Sequence, residues 1–259
     1  MSLLARQRQE LILEQVREHG AVRVSDLAER FGVSDMTVRR DLDVLARRRL
    51  VAKVHGGATT VGSGTHEPDF GEKVDRQRAE KEAIAAAAAA LVEPGTAVGL
   101  SAGTTTAALA RARALTDVPD LTIVTNSMAV AEVFRGAGPG RTVILSGGIR
   151  TPSEALVGPV AVAALRSLNL DVVFLGVHGM SAASGFTTPN LMESETDRAL
   201  VEAGHRLVVV ADSTKWGTAG ISTIAELAEA DVLVTDTGLD AQARAVLEGE
   251  IEQVLLAAP

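Results

Sequence analysis

The sequence predicts a two-part protein: an N-terminal all-α winged helix-turn-helix followed by a C-terminal α/β domain with a mainly parallel sheet. Three observations predict it. Charge is split along the chain: residues 1–57 hold 11 Lys and Arg against 8 Asp and Glu, net +3, and the other 202 hold 14 against 25, net −11. Near the N-terminus, helix caps, a glycine turn and an apolar stripe succeed one another within about 24 residues, the spacing of a helix-turn-helix. From residue 97 onward, short continuous apolar runs alternate with helix-like stretches, as strands buried on both faces do.

The total charge of −8 on its own speaks against nucleic acid, but a whole-chain sum averages over domains. The 259 residues include no Cys, which excludes disulfides and thiolate metal sites and fits a reducing compartment. The five His stand at 19, 55, 66, 178 and 205, and no pair has ligand spacing, so neither a metal nor another cofactor is expected. The longest apolar stretch, 83–92, is short and Ala-rich. No membrane partner is expected, and MSLLARQRQE lacks the apolar segment of a secretory leader. The expectation is a soluble, cytoplasmic protein.

The N-terminal domain is expected over 1–58. A first helix spans about 3–19 and stops at Gly20. Ser25 is a plausible N-cap for a short helix over 26–31, Gly32 supplies a turn, and Ser34 caps a third helix running to about Arg48. In that helix Val38, Leu42 and Leu45 recur at i, i+4 and i+7 and form the buried stripe. Met36, Thr37 and Arg40 then point away from it near the helix start, where recognition helices carry their base-reading side chains. Arg40 suits a bidentate bond to guanine, and Thr37 a base edge or a phosphate. Arg39, Arg47, Arg48 and Arg49 are placed for phosphates. Lys53 and His55 fall on a hairpin-like element, LVAKVHGGA, that turns at Gly56-Gly57 and reads as a wing. The partner implied is double-stranded DNA; the alternative is a three-helix interaction domain with a basic rim.

VSDMTVRRDLDVL followed by V-x-K-V-HGGA resembles the N-terminal signature of the DeoR family of bacterial transcriptional regulators. Ser34, Thr37, Val38, Arg39, Arg40, Asp41, Leu42, His55, Gly56, Gly57 and Ala58 carry the match. Arg48 and Arg49 stand where the family often has an acidic residue and glycine. The resemblance implies a winged helix-turn-helix ahead of a domain that senses sugar phosphates.

Residues 59–70, TTVGSGTHEPDF, have the composition of a linker, and the second domain is expected over 71–259. A long Ala-rich helix at about 72–92 opens it. The apolar runs follow at 97–100, 121–124, 142–145, 172–175, 207–211, 232–234 and 254–256. In parallel sheets, ligands bind beyond the carboxyl ends of strands. The residues that follow these runs are Ser101-Ala102-Gly103-Thr104-Thr105-Thr106, Thr125-Asn126-Ser127, Ser146-Gly147-Gly148-Ile149-Arg150, Gly176-Val177-His178-Gly179 and Asp212-Ser213-Thr214-Lys215. Hydroxyls, amides at a helix start and the cations Arg150 and Lys215 suit a small phosphorylated polyol. No P-loop and no dinucleotide fingerprint is present, so a nucleotide is not indicated.

AGTTT, VTNS, SGG with Arg150, FLGVHG, the stretch from Glu193 to Arg198, ADSTKWG and VTD also look like the DeoR-family sensor domain, which is related in fold to ribose-5-phosphate isomerase and the CoA transferases. The resemblance implies effector contacts at Gly103, Thr104, Thr105, Thr106, Asn126, Ser127, Gly147, Gly148, Arg150 and Lys215. Ser101 departs from the pattern, since members often carry an acidic residue there. The expected protein is a DNA-binding repressor of carbohydrate-metabolism genes, a homo-oligomer controlled by a phosphorylated sugar. The competing reading is a sugar-phosphate isomerase. Isomerisation needs a carboxylate base with an acid beside it. The stretch 176–180 has no acid, which leaves Glu193 and Glu195 as the nearest candidates.

Overall fold

The computed structural model describes residues 5–19, 21–48, 50–54, 56–60, 70–135 and 140–259. Gly20, Arg49, His55, His66 and most of the expected linker lie outside the described residues. The chain divides into two compact units, Met1–Ser63 and Gly64–Pro259.

The first unit contains α1 (Ala5–His19), β1 (Ala21–Arg23), α2 (Val24–Phe31), α3 (Asp35–Arg47), β2 (Val51–Val54) and β3 (Gly57–Thr60). Its core joins Ile12 and Val16 of α1, Leu27 of α2, and Val38, Leu42 and Leu45 of α3 to Val51 and Ala58 of the hairpin. Gly32 ends α2 with φ +62°, a left-handed cap that favours glycine.

Three local expectations are corrected. The unit is not all-α, because β3 pairs antiparallel with both β2 and β1, giving the order β1-β3-β2. Thr59 and Thr60 have linker composition but belong to β3, since the partners Ala21, Val51 and Ala52 extend the ladder to them. Ser25 does not cap α2. The helix starts at Val24 directly from β1, and its first amide donates to the Gly56 carbonyl at 2.8 Å. Ser25 Oγ donates to Asp26 instead.

Gly57 is where β3 crosses closest to β1. A Cβ added there would stand 2.1 Å from the Val22 carbonyl oxygen, against backbone that cannot yield cheaply. Gly57→Ala is therefore expected to destabilise this unit by about 1–3 kcal/mol, the usual cost of overpacking. Thermal denaturation of the full chain checks this, and an unchanged melting profile would contradict the close approach.

The second unit opens with α4 (Phe70–Val74) and α5 (Arg78–Ala89). The expected continuous helix over 72–92 is broken at residues 75–77, where Gln77 adopts φ +50°. The break lets Lys81 Nζ reach back to the Lys73 carbonyl at 2.6 Å. There follow β4 (Ala97–Leu100), α6 (Thr104–Arg111), α7 (Arg113–Thr116), β5 (Thr122–Thr125), α8 (Met128–Val133), β6 (Thr142–Leu145), the short pair β7 (Ile149–Arg150) and β8 (Leu156–Val157), and α9 (Pro159–Arg166). The chain continues through β9 (Val172–Gly176), β10 (Gly179–Ser181), β11 (Gly185–Thr188), α10 (Leu191–Glu202), β12 (Leu207–Val210), β13 (Ser222–Ala225), β14 (Val232–Asp236), α11 (Ala241–Glu250) and β15 (Gln253–Ala257).

All seven apolar runs form strands of one sheet, in the order β15-β14-β12-β9-β4-β5-β6, and every neighbouring pair is parallel. One face is packed by Ile84, Ala85 and Ala88 of α5 and Leu109 of α6; the other by Leu165 of α9, Leu200 of α10 and Leu247 of α11. Burial on both faces explains why the inner strands read as unbroken apolar runs, while the edge strand β6 is largely exposed. The β10-β11-β13 sheet was not expected; its strands are antiparallel, short and rich in Gly, Ser and Thr.

Candidate functional site

In the first unit α3 presents two faces. Val38, Asp41, Leu42 and Leu45 are buried, while Arg39, Arg40, Arg47 and Arg48 are exposed and Met36 is 60% exposed. Ser34 caps the helix as expected: its Oγ accepts from the Thr37 amide at 3.3 Å and lies 3.0 Å from Thr37 Oγ1. Of Lys53 only the backbone, on β2, is described, and Arg49 and His55 lie outside the described residues. Four exposed guanidiniums on and just beyond one helix make a surface suited to phosphates.

Asp41 does a different job from its neighbours. Its side chain is 6% exposed, and Arg8 Nε donates to Oδ2 at 2.6 Å while Gln9 Nε2 donates to Oδ1 at 2.8 Å. This buried pair ties α3 to α1 and sets the angle at which Arg39 and Arg40 are presented. Sequence reasoning missed the role, although a carboxylate at i+3 on the stripe of Val38, Leu42 and Leu45 was a readable signal.

In the second unit the strand order defines the cleft. From β4 the chain moves outward through β5 and β6, then returns to β9 and moves outward the other way through β12, β14 and β15. The switch point therefore lies between the carboxyl ends of β4 and β9, where parallel sheets bind ligands. Ser101 is fully buried here and its Oγ accepts from the Gly176 amide at 2.9 Å, so the hydroxyl bridges the two strand ends.

Beyond Ser101 the chain enters α6 with Gly103 at φ +149° and no side-chain cap. The first amide to bond back is Ala107 to Gly103 at 3.0 Å, which leaves the amides of Thr104, Thr105 and Thr106 without intrahelical partners. Thr106 Oγ1 turns inward to the Gly103 carbonyl at 3.0 Å. Three strands away, Asp236 at the end of β14 accepts from the Ser213 amide at 2.6 Å and from Ser213 Oγ at 2.9 Å. It thereby holds the tight turn Ser213–Lys215 that carries Lys215. Because β9 alone separates β4 from β12, the strands that carry these two loops are about 10 Å apart, at about 4.8 Å per strand.

Two other expected contact residues are hydrogen-bonded within the fold. Asn126 is fully buried; its Oδ1 accepts from the Ala102 amide at 2.9 Å and its Nδ2 donates to Asp197 at 3.3 Å. Ser127 is fully buried and caps α8, accepting from Val130 at 3.2 Å. Gly148, at φ +123°, has no room for a Cβ because the Val157 carbonyl would stand 2.5 Å from it; Gly147 has φ +72°. Arg150 is exposed and pairs with Glu154, its Nε 3.0 Å from Oε2, and that carboxylate, by hydrogen bond and charge, raises the guanidinium pKa further. It lines a separate groove of about 840 Å³ with Phe70, Arg111, Met128 and Glu132. Lys215 is not among the residues that line this groove.

Further charged side chains gather near the cleft. On α10, Glu193 and Asp197 are buried; Glu193 Oε1 accepts from Thr151 Oγ1 at 2.6 Å, while Glu195 is exposed. Lys81 is 5% exposed, and burial lowers its ammonium pKa to about 8. Asp212 opposes that shift, while Lys215, Lys73 and Arg76 add to it. The only sequence signal for Lys81 was a cation inside an alanine-rich helix.

The model of the DeoR C terminal sensor domain matches residues 76–237, and that of the DeoR-like helix-turn-helix domain matches residues 8–63. The chain belongs to the DeoR family. Both domains of a DeoR-type DNA-binding transcriptional regulator are thus present. DeoR-family relatives include the HTH-type transcriptional regulator GlpR of Haloferax volcanii, 36% identical over 95% of this chain and 95% of its own. The putative aga operon transcriptional repressor of Escherichia coli O157:H7 is 33% identical over 94% of this chain and 89% of its own. The glycerol-3-phosphate regulon repressor of Escherichia coli K12 is 30% identical over 89% and 90%. Among solved structures, ribose 5-phosphate isomerase A of Methanocaldococcus jannaschii aligns over 52% of this chain and 53% of its own at 15% identity, with a TM-score of 0.38. That likeness is too slight to bear on the chemistry of a DeoR-family sensor. No helix among the described residues is long and apolar enough to cross a membrane.

Proposed function

We propose that this regulator represses carbohydrate-metabolism genes in the cytoplasm as a homo-oligomer, and that a phosphorylated sugar controls its hold on operator DNA. The observation that carries the effector class is the uncapped start of α6 at the switch point, with Lys215 on the loop after β12 at the same edge of the sheet. Amides without intrahelical partners at a helix N-terminus, and a lysine on the loop two strand spacings along the same edge, fit an anion on a short polyol chain. The name of the glycerol-3-phosphate regulon repressor, which refers to a phosphorylated polyol, supports the same class.

Thr104, Thr105, Thr106 and Lys215 are assigned to the phosphate end. Gly103 allows the close backbone approach, and Asn126, Ser127, Gly147 and Gly148 shape the edge. Arg150 belongs to the rim. On the DNA side Arg40 and Thr37 read bases, with Met36 beside them. Arg39, Arg47, Arg48, Arg49, Lys53 and His55 meet phosphates, and Ser34 positions the helix. Control requires that effector and operator favour different states of the protein, since a ligand of equal affinity for both shifts nothing. Two helix-turn-helix units would read half-sites about 34–36 Å apart.

Arg40→Ala is expected to weaken operator binding by about 1–3 kcal/mol and relax specificity at one position, whereas Arg47→Ala weakens all sequences alike. Binding titrations across operator variants and salt check both; an unchanged Arg40→Ala removes that residue from base readout. The function itself is tested by operator release across phosphorylated and free sugars. The isomerase reading requires turnover of pentose or hexose phosphates, and none is expected.

A further inference from the structure

β6 (Thr142–Leu145) ends the seven-stranded sheet on one side and is paired, among the described residues, with β5 alone. The amides of Thr142 and Ser146 donate inward, to the carbonyls of Leu121 and Thr125 at 3.1 and 3.0 Å. Main-chain groups alternate in direction along a strand, so the amides and carbonyls of Val143 and Leu145 point outward, where no described residue pairs with them. Free edges are usually guarded by a charge, a proline, a bulge or a covering element, yet β6 reads TVIL in unshifted register. The adjoining cation, Arg141, is turned back onto the carbonyls of Thr116 and Val118. The side chains along the edge are apolar. Ile144 joins the core with Val162 and Leu165 of α9, so Val143 and Leu145 project on the opposite face, beside α8. There Val143, Leu145 and Met128 are 36%, 39% and 40% exposed. On the α9 side, Ile149 and Val160 are 62% and 64% exposed, and Met192 is 39% exposed. A Cβ built on Gly147 would stand 3.5 Å from Val160, and one on Gly158 would stand 3.1 Å from Met192 and 3.9 Å from Ile149.

These six side chains offer roughly 500 Å² of apolar surface, about the apolar share of the ~800 Å² that each partner of a stable complex buries. The charges that flank them are matched within the chain, Glu132 by Arg135 and Glu154 by Arg150, so a two-fold axis brings no bare like charges together there. The open backbone asks for a strand, and the same edge of a second copy supplies one. We propose that β6 is the seam between two copies of this chain. It pairs antiparallel with β6 of the second copy about a two-fold axis, with Val143 opposite Leu145 of the partner subunit. Each such pair exchanges both main-chain hydrogen bonds, and the two sheets become one. Pairing β6 with β15 of another copy would instead propagate into an open fibre, and β15 carries no exposed large apolar residue. The inference rests on the reading of this regulator as a homo-oligomer and names the surface that joins its subunits.

The mass of the full chain is measured by sedimentation velocity over a dilution series, with circular dichroism as the folding check. The double variant Val143→Glu, Leu145→Glu sets carboxylate opposite carboxylate in both pairs. It should weaken association at least about 100-fold and halve the mass at concentrations where the wild type stays assembled. The variant Val143→Glu, Leu145→Lys sets carboxylate opposite ammonium in both pairs, so it should recover the wild-type mass. A different interface, or a different register, would give no such recovery. Amide exchange of the wild type supplies a reading that needs no variant to fold: the Val143 and Leu145 amides should be protected in the oligomer and exchange freely once dilution dissociates it. Wild-type mass in the Glu/Glu variant, a charge-matched variant that stays dissociated, or unprotected amides in the oligomer would each overturn the seam while the homo-oligomer stands. A wild type that is monomeric at every concentration removes the oligomer reading itself, and the seam with it.

Discussion

Asp41→Ala is expected to cost the N-terminal unit about 3–5 kcal/mol, because it leaves the Arg8 guanidinium buried without its carboxylate. The Gln9 amide loses its acceptor in the same change. For a domain of this size each kcal/mol lowers the melting temperature by about 4–8 °C, so a drop of more than about 12 °C is anticipated. Operator affinity should fall with it, although Asp41 faces away from DNA, because α3 loses its tie to α1. The control is the double variant Arg8→Met, Asp41→Leu. Replacing a buried ion pair by apolar groups of similar volume is often neutral or stabilising, so this variant should melt near the wild type. Both are read by thermal denaturation and operator titration of the full chain. A single variant that melts within about 1 °C of the wild type would show that the pair holds nothing together.

Lys215→Glu is expected to abolish the response to phosphorylated sugars while leaving effector-free operator binding intact. The change removes an attraction and adds a repulsion at one point. Loss of one partner of a desolvated charge pair alone costs about 2–5 kcal/mol, so effector affinity should fall by at least about 100-fold. The turn that carries Lys215 is braced by Asp236 through Ser213, and neither contact involves the ammonium. The fold should therefore survive. Operator-release titrations, with circular dichroism as the folding check, decide the matter. Release at wild-type effector concentrations would move the phosphate away from this end of the cleft.

Much of the architecture was legible because it depends on spacing along the chain. Val38, Leu42 and Leu45 repeat at helical intervals, Ser34 and Gly32 bracket the turn, and the seven apolar runs match seven parallel strands. The loops after those strands had to lie on one edge, since strands that all run parallel end on the same side. Errors arose where a short segment took its conformation from a distant partner. β1 and the end of β3 exist because they pair with each other, and α2 needs no cap from Ser25 because Gly56 satisfies its first amide. The break at Gln77 interrupts a stretch whose composition favours unbroken helix, where Lys81 reaches back to the Lys73 carbonyl.

Charge asymmetry, periodicity and capping were settled by residue order alone, and with them the two-part organisation and the edge on which ligand chemistry must sit. Which polar residues face that edge and which brace it was decided by packing. Asn126 and Ser127 share the composition of a binding loop, yet both are fully buried and hydrogen-bonded. Lys81 reads as one cation in an alanine helix, yet it stands beside Asp212 and Lys215, about 130 residues away in the chain. The reason is physical: a cap or a stripe is a property of neighbours a few residues apart. The environment of a buried polar group is made by elements that the fold gathers from anywhere along the chain.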